Sequence, residues 1–234
     1  MDLTLLDLKE QLRAIGRGVV FISVDAAYDP QDPLTVADTK KWSPGSAINL
    51  AHLGDTEGPI EPEVEEEFQN LTLQELTGPA SHKRTVSGSQ IALTVPLFAA
   101  DPRLRAILSP TGSASMGFER SRPVKEHTIV VFPEELFYDP DSNEFKTLSY
   151  TDADGWQLDG SALSSDQEDL LGMAVWFWRG SWERALPAFT WEDVGKSVTE
   201  VMFNSMQDTD FPDGHQVATI GDPADASIDL DPAA

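Results

Sequence analysis

The chain has 234 residues, no cysteine, and forty acidic side chains against sixteen lysines and arginines, which gives a formal net charge of −24 at pH 7. So acidic a protein repels polyanions, which argues against a function based on gripping nucleic acid, and the lack of cysteine excludes disulfides and thiolate zinc sites. Hydrophobic residues still make up 40% of the chain, enough to build a core in a single β domain over 1–234.

The N-terminal segment 1–17 predicts a short amphipathic helix or arm. Its apolar residues recur three and four positions apart and a glycine follows as a stop signal: Leu5, Leu8, Leu12, Ile15 and Gly16. The interruptions at Asp2, Asp7 and Lys9 argue against a signal peptide, and no apolar run approaches membrane-spanning length. We expect a cover for one edge of the core or an arm that docks on a neighbouring subunit, and no membrane partner.

Several later segments have the composition of β-strands. Residues 18–25 and 173–178 are continuous apolar runs, which is typical of strands buried on both faces. Further strands are predicted at 48–53, 128–132, 197–206 and 216–220, although periodicity does not exclude a helix over 197–206.

Residues 61–97 predict a pair of strands with different faces. In the second strand, Ile91, Leu93, Val95 and Leu97 alternate with polar or small residues, which indicates a half-buried strand. In the first strand, Glu63, Glu65 and Glu67 share one face, and the apolar residues change sides near Gln69-Asn70, which predicts a bulge or bend there.

One flanking helix is predicted at about 101–109, where Asp101-Pro102 is a strong helix start. A lone helix between strands argues against a parallel α/β sheet and favours a mainly β fold. The acidic segment at about 138–170 predicts a surface excursion with a hairpin around Trp156, and 221–234 predicts a surface tail or arm.

Enzyme signatures do not fit this sequence. The run Gly112 to Gly117 lacks the glycine spacing of a nucleophile elbow around Ser115, the four histidines show no metal-binding spacing, and no phosphate loop is present. The sequence therefore predicts a protein without catalytic residues, cofactors or metal ligands.

Two binding functions remain open. The run from Asp139 to Asn143 begins like a calcium loop, but Glu144 and Tyr150 replace the required glycine and glutamate; irregular calcium loops at 152–154 or 208–210 stay as alternatives. A second alternative is a carbohydrate platform built from tryptophans that core packing would equally explain: Trp176, Trp178, Trp182 and Trp191.

Basic residues concentrate in the middle of the chain. Such a distribution favours head-to-tail association between a basic and an acidic flank, and the candidate subunit-interface charges are Lys83, Arg84, Arg103, Arg105, Arg120, Arg122 and Lys125.

The order of several short motifs resembles the major tail tube proteins of long-tailed, siphovirus-like bacteriophages. The resemblance covers most of 42–135 and about 195–223. It is carried by Trp42, Asn49-Leu50-Ala51-His52-Leu53-Gly54, the acidic strand, Leu73-Gln74-Glu75-Leu76, Lys83-Arg84, the alternating strand, Val201-Met202-Phe203 and Gly221-Asp222-Pro223.

That resemblance implies a β-sandwich or half-barrel of antiparallel strands with one flanking helix, assembled into hexameric rings that stack as a tube. The implied partners are further copies of the chain, a tape measure protein in the lumen, tail terminator or neck proteins, tail-tip proteins, and viral DNA in transit. The implied location is the virion tail, after assembly in the host cytoplasm.

Electrostatics gives the acidic strand a role in such a tube. DNA carries about one negative charge per 1.7 Å, so a lumen lined by carboxylates would let it slide. We therefore expect Glu63, Glu65 and Glu67 to line the channel. A solvated outer surface is the competing interpretation, and a capsid decoration or neck protein would share this composition.

Overall fold

The computed structural model describes most of the strands that the sequence predicts. The described residues are 18–24, 35–37, 49–53, 60–71, 83–98, 126–136, 138–139, 142, 144–182, 188–191 and 197–228. The predicted helices at 1–17 and about 101–109 lie outside these residues.

The described chain is mainly β, as predicted. In chain order the strands are β1 Gly18–Ser23, β2 Thr35–Ala37, β3 Leu50–His52, β4 Glu61–Leu71, β5 Lys83–Phe98, β6 Glu126–Pro133, β7 Tyr138–Asp139, β8 Glu144–Phe145, β9 Leu148–Thr151, β10 Gly155–Leu158, β11 Ser161–Ala162, β12 Val175–Trp182, β13 Ala188–Trp191, β14 Ser197–Ser205 and β15 Thr219–Ile220.

Thirteen of these strands form one sheet, and β7 pairs only with β8. The sheet order is β11-β10-β9-β2-β3-β1-β6-β12-β14-β5-β4, with β13 joined to β14 and β15 to β12. All described pairings are antiparallel except that of β2 with β3. The strand prediction over 197–206 is therefore correct, and the helical alternative is wrong there.

The described α-helix, α1, spans Ser165–Leu171. It begins after Ser164, whose backbone N–H donates to the Gln167 side chain at 3.0 Å, and it buries Leu171. Short 3-10 helices occupy Glu134–Leu136 and Pro223–Ala226.

The central strands are buried on both faces, which explains their continuous apolar sequences. In β1, Val19 and Phe21 belong to one hydrophobic cluster, while Val20 and Ile22 belong to another. Because successive side chains point to opposite faces, the two clusters lie on opposite sides of the sheet.

The sheet curls so that its distant strands meet. Ile60, just before β4, packs on the cluster of Val20 and Ile22, and its Cδ1 would lie 3.5 Å from a Cβ at Gly18 of β1, although β1 and β4 are five strands apart. In a flat sheet that separation would be about 24 Å. The curvature agrees with the predicted half-barrel, and this shared cluster is its interior.

β12 contains a bulge. The pairing of β12 with β6 shifts between Phe177 and Gly180, and the Thr128 hydroxyl donates to the Trp178 carbonyl at 2.5 Å within the bulge. A Cβ at Gly180 would lie 3.3 Å from the Asn204 carbonyl oxygen. The hydroxyl satisfies a carbonyl that the bulge removes from the ladder, and the glycine lets β14 approach closely.

The segment at about 138–170 is not a surface excursion along its whole length, which corrects the prediction. The predicted hairpin around Trp156 is present, since β9 pairs with β10, but both strands belong to the main sheet. Leu148, Trp156 and Leu158 are buried in the same hydrophobic cluster as Val19 and Phe21. The acidic turn residues dominate the composition of this segment, whereas its few alternating apolar side chains decide where it packs.

The start of the C-terminal segment is also part of the core, contrary to the expectation of a surface tail over 221–234. The indole N–H of Trp178 donates to Thr219 at 2.8 Å, that of Trp176 to the Gly221 carbonyl at 3.0 Å, and that of Trp156 to Asp222 at 3.0 Å. Residues 219–228, which we call the strap, therefore dock through polar partners for buried indoles, and Ile228 anchors them with 5% exposure.

Candidate channel-lining face

The candidate site lies on β4 and β5, which pair as predicted. β4 is antiparallel to β5 along its full length, from Glu61 opposite Thr94 to Leu71 opposite Lys83. The register shifts between Glu67 and Phe68, where Ser87 of β5 has no opposite residue. The predicted bulge is therefore present, but it lies before Gln69-Asn70.

The register puts the acidic positions on the outer side of the sheet. Glu63 pairs with Ala92, Glu65 with Gln90, and Glu67 with Gly88. Directly opposed residues share a sheet face, and β5 buries the intervening position Leu93 in the core. The three glutamate positions thus share the face that points away from the core, as the alternation predicted. Glu63 is exposed, while the side chains of the other two lie outside the description.

Two methionines continue this outer face across β14. Met202 and Met206 are 39% and 40% exposed, whereas Phe203 and Ser205 between them are buried. Met202 pairs with Thr94, and Asn204 pairs with Ala92. We define the open face as Glu63, Ala92, Thr94, Met202, Asn204 and Met206.

The open face ends at an ion pair on β12 and β6. Ser181 pairs with both Asn204 and Glu126, so one row of residues crosses five strands from Glu63 to Glu126. Arg179 Nε donates to Glu126 Oε2 at 2.5 Å, and its Nη1 lies 3.8 Å from Asp208 Oδ2. The hydrogen bond to Glu126 raises the pKa of Arg179 above its ordinary value, so the guanidinium remains a fixed positive charge beside the acidic face.

The candidate interface charges are only partly located. Lys83 and Arg84 begin β5 opposite Leu71 and Asn70, at the end of the strand pair that is distant from Thr94, and their side chains lie outside the description. So do the other five: Arg103, Arg105, Arg120, Arg122 and Lys125. The grouping of these seven residues on one flank stays a prediction.

Two of the four tryptophans proposed for a carbohydrate platform are buried. Trp176 and Trp178 are fully buried and stack on each other with ring centroids 5.3 Å apart, and Trp178 also stacks on Phe211 at 4.4 Å. Neither ring face is available to a sugar. Trp182 and Trp191 lie on strands whose side chains at these positions are not described.

The calcium alternative finds no support among the described side chains. Asp152 and Asp154 are exposed in the β9–β10 turn, and Asp208 accepts a hydrogen bond from the Asp210 backbone N–H at 3.1 Å. Within the described ranges, no three acidic or histidine side chains are grouped so as to hold a metal ion.

Asp222 links the strap to Trp156. Its carboxylate accepts hydrogen bonds from the Trp156 indole and, at 2.9 Å, from the Ala224 backbone N–H. Burial is the largest effect on this group and raises its pKa above the ordinary value, while the two hydrogen bonds oppose the rise. The group anchors the strap.

Sequence reasoning missed the methionines and Arg179. The alternation of Met202, Asn204 and Met206 was readable as one strand face, but the ambiguity between helix and strand over 197–206 hid it. The pairing of Arg179 with Glu126 has no local signal, because the two residues are 53 positions apart.

Comparisons of the sequence with protein families and curated proteins do not indicate a function. No protein-family model matches the chain, and no curated protein has a matching sequence. Among the described residues, no helix is long and apolar enough to cross a membrane.

Proposed function

We propose that this protein is a structural virion subunit that assembles into stacked hexameric rings and forms the tail tube of a long-tailed bacteriophage. The observation that supports this most directly is the open face: a strand with three glutamates at alternate positions borders an exposed sheet face on a curled, mainly β subunit. The number of subunits and the stacking come from the family resemblance.

In this proposal the open face lines the channel. Viral DNA carries about one negative charge per 1.7 Å and binds tightly wherever cations neutralise its phosphates. Glutamates on the lining instead keep the DNA from binding, so that it moves through the tube without specific contacts. The chain acts here as a wall and carries out no chemistry.

The proposed partners come from the family resemblance. Further copies of the chain form the rings and the stack, a tape measure protein occupies the lumen before the DNA, and tail terminator or neck and tail-tip proteins close the two ends. The subunit assembles in the host cytoplasm and functions in the virion.

Electron microscopy of the purified protein tests the assembly. We expect rings or tubes with a central channel. A subunit that stays monomeric at every concentration tested, and melts at a higher temperature with calcium or a sugar, would contradict the proposal and favour a binding module. Closed rings that never extend would instead favour the neck or capsid decoration alternative.

A pair of charge reversals tests the position of the acidic strand. Glu63→Lys introduces one positive charge per subunit into the proposed lining, so assembled tubes should retain DNA at low salt and release it as salt rises. Glu135→Lys is the matched control, because Glu135 is an exposed glutamate in the short 3-10 helix after β6 and is not part of the open face. Equal DNA retention by the two variants would place Glu63 outside the lumen.

A further inference from the structure

The open face contains two methionine side chains that solvent reaches. Met202 and Met206 are 39% and 40% exposed, whereas Phe203 and Ser205 between them are buried. The two methionines lie four residues apart, which corresponds to about 13 Å along an extended strand. A third described methionine, Met173, is half-buried. Because a dissolved oxidant must reach the sulfur atom, we expect the two methionines of the open face to react before Met173.

The backbone at both methionines is held by strand pairing and hydrogen bonding. Met202 pairs with Thr94 within the contact between β14 and β5. The backbone N–H of Met206 donates to the Arg179 carbonyl at 2.7 Å. Neither side chain is among the residues of the two described hydrophobic clusters. A chemical change confined to these side chains should therefore leave the sheet and its core intact.

The neighbours of these methionines on the open face are small or polar. Thr94 lies opposite Met202, and the adjacent pair on the same face is Asn204 with Ala92. The two methionines are thus the large apolar side chains of the open face, and methionine is an adaptable apolar contact residue. The apolar character of this face depends on their thioether groups.

Peroxides oxidise exposed thioethers directly. The methionine Sδ attacks one peroxide oxygen, the S–O bond forms as the O–O bond breaks, and the second oxygen leaves as water. The sulfur is oxidised and the peroxide is reduced. The product, methionine sulfoxide, is polar, and sulfoxide reductases convert it back to methionine.

We propose that Met202 and Met206 form a peroxide-reactive site that changes the open face from apolar to polar while the subunit stays folded. A sulfoxide in a protein core disrupts packing, whereas these side chains already contact solvent. The modification weakens any apolar contact that the open face makes, and reduction restores it. This site is a property of the single subunit and goes beyond the proposed tube.

Peptide mass spectrometry of the folded, full-length chain after treatment with dilute hydrogen peroxide tests the reactivity. Met202 and Met206 should each gain one oxygen several-fold faster than Met173. The same treatment in concentrated urea is the control, because unfolding exposes all methionines and should remove the difference in rate. If Met173 reacts as fast as the other two in the folded chain, the proposal is wrong.

Hydrophobic-interaction chromatography measures the change in the face itself. The oxidised chain should elute earlier than the untreated chain, and a sulfoxide reductase should restore the original retention. The matched control is the double variant Met202→Leu, Met206→Leu, because leucine keeps the face apolar and does not react with peroxide. Its retention should shift much less on treatment.

Two results would overturn the proposed switch. One is an equal shift in retention for the natural chain and the double variant, and the other is loss of the folded circular dichroism spectrum once Met202 and Met206 are oxidised. Both measurements use the unassembled chain. A failure here is therefore distinguishable from a failure of the proposed tube.

Discussion

The two halves of the curled sheet share an interior but differ on their outer faces. Around β1, β6 and the first part of β12, the outer face is covered by the β9–β10 hairpin, α1 and the strap, and it buries Trp176 and Trp178 completely. Around β4, β5 and β14, the outer face carries exposed Glu63, Met202 and Met206. A covered face stabilises the subunit, and an uncovered face is available for contacts.

The interior cluster connects the two halves. Leu93 and Phe203 from the open half pack with Ile22 and Phe177 from the covered half. Stability is therefore shared through the interior, and substitutions on the outer faces should reveal the difference between the halves.

The largest expected difference in stability is between the variants Trp178→Ala and Met202→Ala. Trp178→Ala should lower the free energy of unfolding by about 3–5 kcal/mol, because it empties a fully buried site stacked between two aromatic rings. Met202→Ala should cost no more than about 1 kcal/mol, since the side chain is already partly exposed. Urea denaturation measures both, and equal losses would contradict the distinction between the two faces.

Removing one hydrogen-bond acceptor from the strap tests whether the strap stabilises the subunit. Thr219→Val keeps the side-chain volume but leaves the buried Trp178 indole N–H without the Thr219 hydroxyl. We expect a loss of about 1–3 kcal/mol in urea denaturation, because the variant removes one partner of a buried hydrogen bond. Thr209→Val changes an exposed threonine nearby and should alter stability by no more than about 0.5 kcal/mol. A similar small effect for both would mean that the strap does not stabilise the covered half.

A substitution in the bulge of β12, Gly180→Ala, should have an intermediate effect on stability. Gly180→Ala adds a Cβ 3.3 Å from the Asn204 carbonyl, so β14 must shift away from β12. We expect a loss of about 1–3 kcal/mol from this overpacking, with Ser181→Ala, the next residue, as the milder control. If thermal unfolding shows no difference between the two variants, close approach of β12 and β14 does not require glycine.

The smallest expected effect concerns the charge of Asp222. Burial raises its pKa in the folded state, so the stability contributed by the protonated form is present below the unfolded pKa and is lost as pH rises through the folded pKa. Asp222→Asn retains an acceptor for Trp156 and should be slightly more stable than the natural protein near pH 7, and this advantage should disappear as pH falls through the folded pKa to the unfolded value of about 3.9. Urea titrations at both pH values measure it. A destabilised Asp222→Asn at neutral pH would contradict the sign.

Local periodicity was enough to identify most strands and the face of the acidic one. The alternation of β5 correctly predicts that Leu93 and Val95 are buried, and the continuous runs of β1 and β12 correctly predict buried strands. These features follow from residues two to four positions apart, because the pleat alone fixes which side chains share a face.

Only the tertiary structure decided which faces are covered. The strap docks because three indole N–H groups find partners 41 to 66 residues further along the chain, and its own composition gives no sign of this. The register of β12 shifts at Phe177–Gly180, and Arg179, within that bulge, lies beside Glu126. Sequence thus determined the elements and their faces, whereas curvature and long-range polar partners determined what remains exposed for function.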